Sequence, residues 1–506
     1  MSNKTKTSLP YYIAFTTLFL SLCFFYDYFN ILNQPADGIH VWRQTDGLSM
    51  ALKYYEEGNG LFEPKMHNQL NDEGLAAGEF PIMYYIVGKL YHVFGEHNWV
   101  YRGLWWLISF IGYFFLFKFC SKFLQNKVWG GLITLFTFTS PILIIYGFSF
   151  VSDPIALSFI FISWYTLYEY YLTRKKNWLW GSILLISIAG TLKITALLSI
   201  IALIIVFGVN LFIKRIRWQV STKTLLSSLI PIVVGGGMIF SWYYYASYYN
   251  KVHYTTYFFL KTAPIWDLSS QQLSTITDQI VGWSREYFYE TGRHVLYVFA
   301  LLTILPIFNK SFKRIHYWLY LLSVLGFLAF FLLFYSQFSH HDYYVVNLIF
   351  IVPPTVLFFV KKYQFLFLKN KFLNIGFQVL FSALLLASVV HASKRSNERF
   401  AIKTEWLVLD LYEFRGKLKE YGISKDDLIV VPHDPSPNIT LHAINMNGWS
   451  GLNGVERPDV LEEKIKEGAK WMIVSDKRFY DKPIVEKYKE KLVVDYKGIR
   501  VYRLVD

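Results

Sequence analysis

Long runs of apolar residues are the feature that most constrains how this chain folds. Of its 506 residues, 54% are hydrophobic and 20% aromatic, and the apolar residues are gathered in stretches. A helix needs about 20 apolar residues to cross the hydrocarbon core of a bilayer, and this composition is typical of polytopic membrane proteins. We therefore predict an α-helical polytopic membrane protein with about 11 transmembrane helices. The candidate spans lie at roughly 11–32, 103–120, 128–149, 154–173, 178–192, 195–213, 224–246, 294–309, 316–335, 343–360 and 372–391.

The charges between these spans predict the orientation of the chain. With a cytoplasmic N-terminus, the inside segments hold 18 Lys or Arg and no Asp or Glu. This is the pattern of the positive-inside rule. The first loop (33–102), the loop 247–293 and everything after residue 391 are then expected outside the cytoplasm. The inside segments are 1–10, 121–127, 174–177, 214–223, 310–315 and 361–371.

Two outer regions carry further structure in this prediction. The stretch 78–97, "GEFPIMYYIVGKLYHVFGEH", is apolar on most faces but interrupted by Lys89 and His92, so we expect a helix lying in the outer interface. After residue 391, helical patterns alternate with short β-branched runs such as "DLIVVP" and "KWMIVSD". That alternation predicts a small α/β domain. The sequence thus divides into a membrane domain (1–391) and a soluble outer domain (392–506).

Two acids of the first loop stand out from its many charged residues. Asp46 heads the helical pattern "GLSMALKYYEEG", where it either caps the helix or serves as a reactive group. Glu79 stands at the start of the interfacial helix, before Pro81, where capping is again an alternative. Two carboxylates at the membrane surface can instead be a general base and its partner.

The basic groups on the same side are candidates for binding an anion. Snorkelling or ion pairing is the ordinary role of such residues, and it is the alternative for Arg43 and Arg102. Lys193 is more informative because an ionisable group inside apolar sequence is costly and marks a pathway or a site. It lies in "AGTLKIT", where the long apolar run from Trp178 to Ile213 is predicted to divide. A lipid phosphate is the kind of anion that we expect Lys193 to bind.

The turn "SHHDYY" brings several polar and aromatic side chains to another outer boundary. A His-His-Asp cluster invites a metal interpretation, but adjacent residues point in different directions and no spaced His or Cys partner follows. We therefore predict no metal site there and expect a polar pocket with tyrosines at headgroup depth. Asp153 in "SFVSDP" is either a helix cap or a second pocket acid. The residues of the turn are His340, His341, Asp342, Tyr343 and Tyr344.

These features together resemble the GT-C membrane glycosyltransferases, and most closely bacterial members related to glycosyltransferase family 39. That group includes protein mannosyltransferase-like, aminoarabinose transferase-like and rhizobial lipopolysaccharide transferase-like enzymes. The resemblance covers about residues 10 to 391. It rests on the order of "WRQTDGLSMALKYYEEG", "GEFPIMYYIVGKLYHVFGEHNWVYR", "GTLKIT" and "HHDYYVVNLIFIVPP".

The resemblance implies a polyprenyl-phosphate sugar donor and a first-loop Asp that deprotonates the acceptor. By position that Asp is Asp46. Many relatives have a Glu directly after it and a His-Pro-Pro at the interfacial helix, where this chain has Gly47 and Glu79-Phe80-Pro81. Glu79 is therefore the candidate for the second carboxylate.

The resemblance also implies how the donor is held. Basic side chains would bind the leaving phosphate, and no cofactor or divalent metal is expected. Arg43 either orients Asp46 or touches the phosphate, and Trp42 either stacks on the sugar or anchors the loop.

Several alternatives fit the same sequence. A flippase or transporter for polyprenyl-linked glycans shares the lipid, but it calls for ionisable groups at mid-membrane depth. A surface-polysaccharide polymerase or ligase shares both donor and topology. The sugar and the acceptor, whether lipid A, polysaccharide, protein or another lipid, stay open. The expected location is a bacterial inner membrane with a periplasmic active site, and no nucleic-acid partner is expected.

Overall fold

The computed structural model describes residues 9–212, 222–255, 257–258, 262–305, 314–368, 370–405 and 407–505. Up to Phe400 these residues are mainly α-helical. The helices of this part are α1 (Leu9–Phe25), α2 (Tyr28–Ile31), α3 (Val41–Glu56), α4 (Ile82–Phe94), α5 (Asn98–Leu124), α6 (Lys127–Phe138), α7 (Pro141–Tyr146), α8 (Asp153–Thr173), α9 (Lys176–Leu192), α10 (Leu198–Phe212), α11 (Thr222–Val252), α12 (Ser270–Tyr287), α13 (Glu290–Ile304), α14 (Arg314–Leu333), α15 (Tyr344–Leu348), α16 (Val352–Leu368) and α17 (Lys371–Phe400).

The chain is an integral membrane protein by the length and hydropathy of its helices. Within the described residues, five helical segments are long and apolar enough to cross a bilayer. Each of the eleven predicted stretches contains a helix, but their number as membrane crossings stays a prediction. The five segments are Asn98–Leu124, Leu229–Val252, Ile315–Leu333, Tyr344–Leu366 and Lys371–Phe400.

Three predicted spans are not single helices. The stretch 343–360 passes from α15 through a 3₁₀ turn at Ile349–Ile351 into α16. The stretch 128–149 breaks between α6 and α7 because Pro141 follows Ser140, whose backbone is extended. A residue before proline is driven out of the helical region by the proline ring. The stretch 11–32 breaks at Asp27, which has a left-handed backbone with φ of 63°. The long run 178–213 divides at Lys193, as the sequence predicts, because this residue is extended between α9 and a 3₁₀ turn at Ile194–Leu197.

The first loop is built on the close packing of α3 against α4. A side-chain carbon added at Gly88 of α4 would lie 2.8 Å from the backbone oxygen of Ala51 and 2.7 Å from Cβ of Tyr54. Glycine at this position therefore lets the two helices approach each other. The predicted helix within 78–97 is confirmed as α4, which begins at Ile82 after Pro81.

The chain after Phe400 forms the predicted small α/β domain. Its five-stranded sheet has the order β2-β1-β3-β5-β4, in which β1 is parallel to β2 and β3, and β5 is antiparallel to β3 and β4. The helix α17 continues past residue 391, the predicted domain boundary, and ends at Phe400. The elements are α18 (Asp410–Arg415), β1 (Leu428–Val431), α19 (Ile439–Ile444), β2 (Gly448–Ser450), α20 (Pro458–Lys466), β3 (Ala469–Val474), α21 (Pro483–Glu486), β4 (Leu492–Tyr496) and β5 (Ile499–Arg503).

This domain, residues 401–505, is called the outer domain below, and it is bonded to the first loop. The backbone N–H of Gly448 donates to the carbonyl of His67 over 3.1 Å, and the N–H of Gln69 donates to the carbonyl of Gly448 over 2.7 Å. Since the two regions touch, they lie on the same side of the membrane.

Candidate active site

Asp46 lies in the second turn of α3 and is completely buried. The helix begins at Val41, so Asp46 is inside it and does not cap it. Each carboxylate oxygen has a donor: the side-chain amide of Asn438 reaches Oδ1 over 2.8 Å, and the hydroxyl of Tyr257 reaches Oδ2 over 2.8 Å. Arg43 Nη1 stands 3.9 Å from Oδ2.

Burial sets the protonation of this acid. Loss of water raises the pKa of Asp46 to about 6, although the Arg43 charge and the bonds from Asn438 and Tyr257 all favour the ionised form. Glu79 acts in the same direction as burial because it is a second negative charge nearby. A carboxyl group with a pKa near the working pH can both take up and release a proton, which is what a general base must do.

Glu79 lies close by in a different electrostatic setting. Its Oε1 accepts hydrogen bonds from Arg43 Nη2, from the Tyr84 hydroxyl at 2.5 Å and from the Ser152 hydroxyl at 3.0 Å. Burial alone would raise the pKa of Glu79, but the charges of Arg43 and Lys193 and the Tyr84 bond outweigh it and lower the pKa to about 2.

Glu79 therefore stays ionised as the partner of Arg43. It does not cap α4, because its carboxylate bonds the side chains of Arg43, Tyr84 and Ser152, and the residue directly before the helix is Pro81. Two neighbouring acids with pKa values pushed apart are characteristic of acid–base sites. Arg43 joins them, with one guanidinium nitrogen toward each carboxylate.

Lys193 forms a second ion pair at the edge of the same site. Its Nζ lies 3.1 Å from Oδ2 of Asp153, and the Asn347 amide donates to Oδ1 of Asp153 over 3.2 Å. Asp153 is the first residue of α8, and its carboxylate contacts Lys193, directly after α9, and Asn347 of α15. The ammonium group also stands 5.6 Å from the centre of the Tyr343 ring, while 17% of the Lys193 side chain remains accessible.

The predicted polar pocket at the "SHHDYY" turn forms around Asp342. Its Oδ1 lies 2.9 Å from His40 Nε2 and accepts from the Tyr146 hydroxyl at 2.6 Å, and its Oδ2 accepts from Arg399. Burial opposes ionisation, but the contact with His40, the charge of Arg399 and the bond from Tyr146 hold the pKa of Asp342 well below its usual range.

The two histidines of the turn differ in their surroundings. His340 is exposed. The ring of His341 is largely buried, which together with the charges of His40, His340 and Lys193 lowers its pKa to about 4. Within the described part of the chain, no three His, Cys, Asp or Glu side chains are placed to hold one metal ion. The side chains around Asp342 are joined by hydrogen bonds and ion pairs.

Arg102 is the predicted phosphate ligand that the structure does not bring into this site. Its guanidinium donates to the backbone carbonyls of Phe148 at 2.9 Å, Ile31 at 2.6 Å, Pro35 at 3.4 Å and Gln34. A guanidinium has five N–H donors, and here they are directed at backbone. The contacts favour a role in holding the start of the first loop.

Several residues of the site were not predicted from the sequence, among them Tyr257, Tyr84 and Asn438. Tyr257 links Asp46 to the loop 247–293, and the Trp42 indole N–H donates to its hydroxyl. Nothing in its local sequence indicates this. Tyr84 lies on α4 next to Glu79. Asn438 lies in the loop after the predicted strand "DLIVVP". Loops at the carboxyl ends of parallel strands are where ligand sites form, so its place in the domain was a signal, but its contact with Asp46 was not.

The sequence matches no known protein-family model and no curated protein. The fold is similar to solved structures. ArnT from Cupriavidus metallidurans in the apo state is 9% identical, with a TM-score of 0.51 over 99% of this chain and 98% of that one. The same protein bound to undecaprenyl phosphate is 10% identical, with a TM-score of 0.52 over 97% and 98%. An Archaeoglobus fulgidus oligosaccharyltransferase in complex with Zn and sulfate is 12% identical, with a TM-score of 0.52 over 92% of this chain and 70% of that one.

Proposed function

Because the chain has the fold of the GT-C membrane glycosyltransferases, we propose that it moves a sugar from a polyprenyl-phosphate donor to a cell-envelope acceptor. Asp46 is the general base. The observation that carries this proposal is the carboxyl pair: Asp46 is buried with a pKa of about 6, beside Glu79, which Arg43 keeps ionised. The ArnT structure with undecaprenyl phosphate supports the class of donor.

The transfer follows from the position of Asp46. Tyr257 donates its hydroxyl hydrogen to Oδ2, and an acceptor hydroxyl or amine would donate to the same oxygen once this phenol moves aside. The acceptor oxygen or nitrogen then attacks the anomeric carbon while its proton passes to Asp46. The bond from the anomeric carbon to the phosphate oxygen breaks, and the polyprenyl phosphate leaves with the electron pair. Proton transfer of this kind contributes about 10² to 10⁴ in rate.

The groups around Asp46 hold the donor in this proposal. Lys193 keeps part of its side chain accessible although Asp153 pairs with it, and positive groups near a departing phosphate stabilise its charge. No metal requirement is proposed, since Arg43 and Lys193 supply that charge. The proposed donor-binding residues are Trp42, Arg43, Lys193, His340, His341, Asp342, Tyr343 and Tyr344.

The site is proposed to face the periplasm across a bacterial inner membrane, with a cytoplasmic N-terminus. The charge distribution of the loops supports this orientation. The contact between the first loop and the outer domain supports it further, because the predicted topology places both on the outer side.

The test is transfer of label from undecaprenyl-phosphate sugars to a cell-envelope extract. Purified wild-type protein is compared with Asp46→Asn, which keeps the shape of the side chain. Asp72→Asn is the control, because Asp72 belongs to the same loop but bonds His253 instead of the site. The assay is run with and without chelator.

We expect transfer by the wild type and by Asp72→Asn, with or without chelator, and loss in Asp46→Asn. Wild-type rates in Asp46→Asn would overturn the assignment of the base. Loss of transfer on chelation would overturn the metal-independent part of the proposal. No transfer from any donor, together with movement of the lipid across vesicle bilayers, would make the protein a flippase.

A further inference from the structure

The outer domain contributes a side chain to the catalytic acid. Asn438 lies in the loop after β1, immediately before α19, and is completely buried. Its side-chain amide donates to Asp46 Oδ1 over 2.8 Å, across a separation of 392 residues. The fold of the outer domain therefore determines which group donates a hydrogen bond to one of the two carboxylate oxygens of the proposed base.

The orientation of the Asn438 amide is fixed by the contacts of its side-chain oxygen. Asn438 Oδ1 accepts from the backbone N–H of Asn68 at 3.1 Å and lies 3.3 Å from the Ser49 hydroxyl. A backbone N–H can only donate, so the oxygen of the amide must face Asn68. The NH₂ group then has to point at Asp46, because the opposite orientation would place two donors together and two acceptors together.

The loop that carries Asn438 is itself held rigidly. The carboxylate of Asp434 accepts from the backbone N–H and the hydroxyl of Ser436, at 2.9 and 2.6 Å, and from the backbone N–H of Thr440 at 2.7 Å. The Ser436 hydroxyl in turn accepts from the N–H of Ile439 at 2.9 Å. These bonds enclose Asn438 on both sides along the chain.

The first loop also locks onto the same edge of the sheet. The Asn68 amide donates to the carbonyl of Pro437 at 3.1 Å and to the hydroxyl of Ser450, the last residue of β2, at 3.0 Å, so it joins the loop after β1 to the end of β2. Ligand sites of open α/β sheets lie at the carboxyl ends of the strands. Here that edge faces the first loop and reaches Asp46.

We infer that Asn438 is a positioning residue for the transfer, and that the outer domain is thereby part of the active site. The inference rests on the proposed function. By holding Oδ1, Asn438 fixes the rotation of the Asp46 carboxylate and leaves Oδ2 for the acceptor proton. It also stabilises the ionised form of the base, since a hydrogen bond to a carboxylate favours its charge.

The test uses the full-length protein with Asn438→Ala, Asn438→Asp and a control, Asn447→Ala. Asn447 belongs to the same domain, and its side-chain oxygen accepts a hydrogen bond from Lys53 of α3 over 2.5 Å. Lys53 lies about two helical turns from Asp46 along α3. Lys53 keeps its bond to Glu57 in that variant. Asn438→Asp preserves the side-chain volume, so it covers the case in which the alanine variant does not fold.

We expect Asn438→Ala to lower kcat by about 10²-fold, as misplacement of a reacting group does, with the donor KM unchanged. The acid limb of the kcat profile should move to higher pH because Asp46 loses a donor. In Asn438→Asp the limb should move further, since a second carboxyl faces the first. Asn447→Ala should keep the wild-type limb. An unchanged kcat and limb in both Asn438 variants would overturn the inference.

A second measurement does not depend on transfer. Thermal unfolding of the wild type, Asp46→Asn, Asn438→Ala and the double variant should give Tm shifts that are not additive, because the two side chains share a bond. Additive shifts would overturn the contact. A wild type that transfers nothing would defeat the proposed function and the catalytic part of the inference, while the Tm cycle would still decide whether Asn438 holds Asp46.

Discussion

Gly47, the residue after the proposed base, is expected to tolerate no side chain. A β-carbon added there would lie 2.7 Å from the backbone oxygen of Phe150, 2.9 Å from the Tyr101 hydroxyl and 3.0 Å from the Tyr84 ring. The Tyr101 hydroxyl cannot easily withdraw, because it donates to the same Phe150 oxygen over 3.1 Å.

The size of the effect of Gly47→Ala follows from these distances. Ordinary contacts begin at 3.4 Å, so α3 has to move by about 0.7 Å away from Phe150. Replacing Gly by Ala inside a helix normally stabilises a protein by about 1 kcal/mol. Overpacking of a close contact costs about 1–3 kcal/mol, so we expect a net loss of about 1 kcal/mol. The shift carries Asp46 with it, and a displacement of about 1 Å can lower a rate about 10²-fold.

The assay compares Gly47→Ala with Gly103→Ala. Gly103 lies in α5, and a β-carbon there meets nothing within 4 Å. Unfolding temperature and transfer rate are measured for both. Gly47→Ala should unfold at a lower temperature and transfer about 10- to 100-fold more slowly, while Gly103→Ala should be as stable as the wild type or more so. Equal stability and rate in the two variants would falsify the reasoning that α3 is held against Phe150.

Three further predictions concern the site and its support. The transfer rate should fall as the pH drops through about 6, because burial raises the pKa of Asp46 to that value and the protonated acid cannot act as a base; a rate that is flat from pH 5 to pH 8 would contradict this. Arg102→Met should lower the free energy of unfolding by about 1–3 kcal/mol or more, since buried carbonyls lose their donors, with an unchanged donor KM in the transfer assay. Lys193→Met should destabilise the protein by about 3 kcal/mol because Asp153 is left as an unpaired buried charge, and a second change, Asp153→Asn, should restore the unfolding temperature without restoring the donor KM.

Much of the fold could be predicted because the bilayer and the helix impose simple patterns. Apolar runs predict helices, and alternating helical and β-branched stretches predict the outer domain. The GT-C resemblance is confirmed at the level of the fold. The breaks at Asp27 and Ser140 were missed, the first because a left-handed residue leaves no trace in hydropathy, and the second although Pro141 marks it.

The site could be predicted in part. Arg43, Asp46 and Glu79 were each proposed, and the structure brings them together, although their roles stay predictions. Asn438 and Tyr257 were missed because they lie 392 and 211 residues from Asp46, and no local pattern encodes such contacts. The positive charge of Arg102 can be read from the sequence, but the backbone carbonyls that accept its hydrogen bonds cannot.

The bond between Asp46 and Asn438 also has a consequence for how the protein is made. Synthesis runs from the N-terminus, so α3 is complete long before the loop after β1 exists. Until the chain after Phe400 has been made and has folded against the first loop, the Asp46 carboxylate lacks one of its two donors. Nascent and truncated chains that already carry the membrane helices are therefore expected to transfer sugar at least about 10²-fold more slowly than the whole protein, and full activity should begin only when the outer domain has folded.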